Sequence, residues 1–159
     1  MKHRLGRAGL AGIELALVAP VLILLTIASV DFGAALMEKA QISRALGAAA
    51  QYATLAGQNN VATATIATNA KVYASAVTGT FVGAATVTAS INNGAAAGAL
   101  CCPGAAWTCS TVTGFTCADG ATPGTYIKVT ASYPFKPLLS GDTMLVGKTL
   151  SESVVAPLR

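Results

Sequence analysis

The chain has 159 residues, of which 53% are apolar and only 10% charged, and alanine is its commonest residue. High hydrophobicity with so little charge excludes a disordered chain and a coiled coil built on charged heptads. The net charge is +4, but Lys2, Arg4 and Arg7 all precede the first acid, Glu14, so the remainder is nearly neutral and no nucleic-acid partner is expected.

The single histidine, His3, lies in that basic leader. A mature product without the leader has no imidazole for a Ser-His-Asp or Cys-His nucleophile, nor for a mixed Cys/His zinc site. The acids Glu14, Asp31, Glu38, Asp119, Asp142 and Glu152 are scattered, and no phosphate-binding glycine loop is present. No catalysis and no cofactor or metal are expected.

Residues 1–9 form the leader, and a long apolar helix is predicted after it. Leu15 to Val30 is uncharged and would span about 24 Å as a helix, or about 34 Å if continued through Met37, against a bilayer core of about 30 Å. The basic leader places the N-terminus in the cytoplasm and everything after about residue 38 outside. A cleaved signal peptide, a plain signal anchor and a soluble core helix are the competing readings. None accounts for Glu14, because an acid costs about 2.5–3.5 kcal/mol at a bilayer centre and points to a function with a partner.

The residues before and around Glu14 read Gly6-Arg7-Ala8-Gly9-Leu10-Ala11-Gly12-Ile13-Glu14. This resembles the processing signature of type IV prepilins, in which a short basic leader ends in Gly and the fifth mature residue is Glu. The resemblance implies cleavage between Gly9 and Leu10 by a prepilin peptidase. It also implies pairing of the new α-amine with Glu14 of a neighbouring subunit, which sets register more than it adds stability. The run RAGLAGIELALVAPVLILLTIASVDFG, with Asp31-Phe32-Gly33 at the membrane exit, is similar to the TadE-like pseudopilins of tight-adherence (Flp, type IVb) pili. Leu15 stands where an aromatic commonly follows the Glu. The likeness continues in Ala45–Ala56 and in the stretch Val129 to Leu138. It implies other pilins and pseudopilins, an inner-membrane assembly platform and the membrane as partners, with a role in pilus assembly, surface attachment and biofilm formation.

Further along, Pro20 is expected to kink or locally unwind the helix. Small residues four apart, at Gly12/Ala16, Ser29/Gly33 and Ala45/Ala49/Ala53, would let helices approach closely. Beyond the membrane, Ile42, Leu46, Ala49, Ala53 and Ala56 form one stripe of a stem, which Gly57 is expected to end as its C′ residue. Asn60 is expected to cap a second helix over 61–77 with the stripe Ile66, Ala70, Tyr73 and Val77. Alternation predicts a strand over 81–91, a second over 126–135 with Ile127, Val129, Ala131, Tyr133 and Phe135 on one face, and a last one over 144–155 with Gly147 as a bulge.

Between the first two strands lie Cys101, Cys102, Cys109 and Cys117. On the external side they favour two disulfides, pairing 101–109 with 102–117 or 101–117 with 102–109. Trp107 and Phe115 either pack within this loop or form an exposed contact patch. The expected fold class is α+β: a membrane helix and stem over 10–57 carrying an external, pilin-like head over 58–159 with a small antiparallel sheet. The alternatives are a membrane-anchored envelope binding module outside any filament, and a secreted disulfide-stapled domain.

Overall fold

The computed structural model describes residues 8–78, 85–104, 107–137 and 147–158. Lys2, His3, Arg4 and Arg7 of the leader, 81–84 of the first expected strand, 144–146 of the last, Leu138 and Asp142 lie outside the described residues.

Helix α1 runs from Ala8 to Gln58, 51 residues and about 76 Å of continuous helix. Its alanines and leucines are the strongest helix formers, and it passes through Pro20 without a break. Its end differs from expectation. Asn60, at φ 56°, takes the left-handed C′ position; its N–H bonds Gly57 O at 3.1 Å, and Val61 N–H bonds Ala56 O at 3.0 Å. This is a Schellman closure. Asn60 therefore ends the first helix and does not cap the second, and Gly57 lies inside α1, buried under the C-terminal strand.

Helix α2, Thr63–Thr78, packs back along the upper half of α1. Ile66, Ala70 and Ala74 are buried, so the stripe keeps a strict four-residue step and leaves Tyr73 50% exposed. Tyr73 instead packs its ring on Tyr52 of α1, at 4.7 Å between centroids. The side chain of Val77 lies outside the described residues.

Among the described residues five strands follow: β1 (Thr86–Ile91), β2 (Leu100–Cys102), β3 (Thr108–Ser110), β4 (Tyr126–Pro134) and β5 (Thr149–Pro157). β4 is the centre of an antiparallel sheet in the order β1-β4-β5, with Ala89 opposite Val129 and Val129 opposite Val154. Its inner face carries Ile127, Val129 and Ala131, all fully buried, and Phe135 just beyond the strand is buried too, as alternation requires. Gly147, at φ +70°, is a turn residue ahead of β5 and not a bulge within it.

The core joins Ile42, Leu46, Ala49, Ala53 and Ala56 of α1 to Ile66, Ala70 and Ala74 of α2 and to the inner face of the sheet. All five stem residues named from the sequence are in it. Alanines along both helices let the backbones and sheet lie close, while Ile42, Ile66 and Ile127 each contribute about 1.5–3 kcal/mol by burial. The upper part of α1 is thus an integral part of the head.

The cysteine segment adds a two-stranded hairpin, β2 with β3, absent from the sequence expectation. Cys101 faces Cys109 across that ladder and is bonded to it, and Cys102 is bonded to Cys117. Of the two pairings open from the sequence, the fold realises 101–109 with 102–117.

Candidate membrane and assembly surface

The lower part of α1 stands alone. Ile13, Leu15, Leu17, Val18, Val21, Leu22, Ile23, Leu24 and Leu25 are all at least half exposed, Leu17 at 74%. Water cannot solvate such a surface favourably, whereas hydrocarbon can. Polar groups within it are satisfied locally. Thr26 Oγ1 donates to Leu22 O at 2.9 Å and Ser29 Oγ donates to Leu25 O at 2.7 Å, as helices in lipid require. Pro20 has no N–H to offer, which leaves the Ala16 carbonyl without its usual helical partner.

Burial marks the upper limit of this bare segment. Asp31 is 1% exposed and Ala35 is buried as well, so the chain covers one side of α1 from Asp31 upward. Gly12 to Val30 therefore forms a bare helix of about 28 Å, close to the thickness of a hydrocarbon core. The sequence marked Asp31 as the membrane exit, and the structure adds that its side chain is buried.

At the other end, Gly9 and Leu10 lie in the first turns of α1. Glu14 is exposed among Ile13, Leu15 and Leu17, one turn above Leu10, and has no hydrogen bond or ion pair among the described residues. Its carboxylate is available to a group from outside the chain. Gly12 and Gly33 are open too: a Cβ on either would meet nothing within 4 Å.

Where the stem enters the head, Lys39 Nζ lies 3.0 Å from Glu152 Oε1 of β5, with the two side chains 54% and 32% exposed. Next to it, Glu38 Oε2 and Gln41 Oε1 are buried without a hydrogen-bond partner among the described residues. Burial pushes the Glu38 carboxyl above its ordinary value. Sequence reasoning missed the tie, since no spacing rule brings Lys39 beside Glu152.

The cysteine hairpin sits at the opposite end of the sheet from the membrane segment. Asn92, buried and at φ 48°, holds it: Nδ2 donates to Ala99 O at 2.6 Å, and Oδ1 accepts from Tyr126 N–H at 2.8 Å. Trp107 packs edge-on against Tyr126 at 6.2 Å, outside its own loop, and Phe115 is half-buried.

The arrangement so far is a bilayer-length bare helix with an exposed acid near its start and a disulfide-stapled head. Residues 9–51 match the family described as TadE-like protein. The TadE-like segment begins at Gly9, takes in Glu14, Pro20 and Asp31, and ends within the stretch of α1 that enters the head core. Residues 52–159, with the sheet and both disulfides, lie outside the match. No curated protein and no solved structure matches the chain.

Proposed function

We propose that this chain is a non-catalytic, membrane-inserted pseudopilin that takes part in assembling a tight-adherence pilus. The observation that carries this reading is the coincidence of the TadE-like match over 9–51 with a bare apolar helix. In this reading the prepilin peptidase cuts between Gly9 and Leu10 on the cytoplasmic side, and the head lies outside the cytoplasm. The new α-amine and Glu14 sit one helical turn apart. Glu14 of one subunit then pairs with the amine of a neighbour, which offsets the cost of placing an acid in hydrocarbon and selects one axial register. Other pilins and pseudopilins and the inner-membrane assembly platform are the partners, and surface attachment and biofilm formation follow from the assembled pilus.

Mass spectrometry of the mature N-terminus tests this directly. A first residue of Leu10 is the expected result. Retention of Met1–Gly9 would support an anchored module that never enters a filament, and a start beyond Ala28 would remove the membrane helix from the mature protein altogether.

A further inference from the structure

The lower rim of the head carries two lysines whose height above the membrane segment can be worked out from two contacts. Near its start, β5 is tied to α1 by the Lys39–Glu152 ion pair at 3.0 Å. At its end, Leu158 lies against Gly57, so closely that a Cβ on the glycine would collide with the Leu158 backbone. β5 therefore rises along α1, away from the bare segment, and its beginning points to the membrane. Lys148 precedes Glu152 by four residues, about 13 Å of strand, which equals about nine residues of helix and sets Lys148 level with Val30 and Asp31.

Lys136 is held at the same rim. β4 ends at Pro134 opposite Thr149, and the Phe135 N–H donates to Lys148 O at 2.9 Å. Phe135 is buried and anchors this corner, while Lys136 and Lys148 are both exposed. The bare helix of about 28 Å nearly equals the hydrocarbon core, so the rim falls in the headgroup layer, which extends about 5–7 Å beyond the core on each side. Among the described residues of the rim, the one acid at this height is Asp31, and it is buried.

From this geometry we propose that Lys136 and Lys148 form a docking rim for the anionic phospholipid headgroups of the membrane that α1 crosses. The occupant follows from charge complementarity and from continuity with the apolar segment: two exposed cations stand at the height of the phosphates. The rim seats the head on the bilayer and restrains its tilt. It rests on the membrane reading above.

Full-length protein reconstituted in vesicles tests the rim. One set is phosphatidylcholine alone, and the other is phosphatidylcholine mixed with anionic phosphatidylglycerol. A membrane-impermeant amine reagent is applied, and each lysine is read by mass spectrometry. Lys128, seven strand positions above Lys148 through its partner Val155, is the internal reference. Labelling of Lys136 and Lys148 is expected to fall about fivefold in the anionic vesicles, with Lys128 unchanged and the effect lost at high salt. Equal labelling in both lipids, with the protein still floating with the vesicles, would overturn the rim and leave the membrane helix standing. Protection in neutral vesicles that grows with protein density would assign the lysines to a neighbouring protein and overturn it too. Failure to float would overturn both readings.

Discussion

Gly57 of α1 lies against the backbone of Leu158, with no room between them for a side chain. This contact closes the top of the head, as Leu158 N–H bonds Thr125 O at 2.8 Å and the Leu158 side chain is buried. A helix glycine normally costs about 1 kcal/mol relative to alanine, and here the close approach is the compensation. Gly57→Ala is expected to destabilise the head by about 1–3 kcal/mol, the usual range for overpacking. Gly47→Ala, where a Cβ meets nothing within 4 Å, is expected to be neutral or stabilising. Denaturant unfolding of both variants in the same detergent checks the contrast.

Asn92 links the loop that ends at Ala99 to the start of β4 at Tyr126. Asn92→Ala strips the partners from the Ala99 carbonyl and the Tyr126 N–H and places alanine at φ 48°. A loss of about 2–4 kcal/mol is expected, from two orphaned backbone groups together with backbone strain. Thermal unfolding with the disulfides intact measures it.

The two disulfides staple a loop that contributes little to the main core. Replacing Cys102 and Cys117 together by Ser opens a loop of 15 residues, and a loss of about 3 kcal/mol is expected. The core of α1, α2 and the β1-β4-β5 sheet contains none of the four cysteines, so far-UV circular dichroism is expected to show the helices retained.

Glu38 is expected to oppose folding as it ionises. Its carboxyl is raised by burial, so the folded state holds the proton more tightly than the unfolded chain does. The cost is absent at pH below the ordinary carboxylate value. It grows as pH rises through that value and is complete above the raised one. Glu38→Gln is therefore expected to raise the unfolding midpoint at neutral pH, with the gain disappearing in acid. Midpoints of both proteins across that range check the sign.

Glu14 touches none of the head, so Glu14→Ala is expected to leave the unfolding midpoint unchanged while impairing pilus assembly. Normal piliation by electron microscopy in that variant would count against its register role.

Much of the fold could be read from local patterns. The stem stripe from Ile42 to Ala56 and the inner face of β4 all lie where periodicity placed them, because burial on one side of a helix or strand imposes its own spacing. The errors cluster where two distant segments compete for one residue. Gly57 resembles a helix terminator, yet its lack of a side chain serves the passage of Leu158, and the left-handed C′ position falls three residues later, at Asn60. Tyr73 fits the α2 stripe but is drawn aside to Tyr52, and Gly147 turns the chain before β5 begins. In the candidate site, Glu14 and the apolar run were legible, whereas the Lys39–Glu152 tie and the rim lysines were not.

The sequence alone determined the membrane-length helix and the acid at its start, since helix propensity, hydrophobic transfer and the cost of a charge in hydrocarbon are properties of neighbouring residues. It also determined that four cysteines would pair. Tertiary structure decided which cysteines meet, what lies against Gly57, and how far down α1 the head descends. Those depend on contacts between segments more than a hundred residues apart, such as Gly57 with Leu158 and Lys39 with Glu152, which form only when helices and sheet share one core.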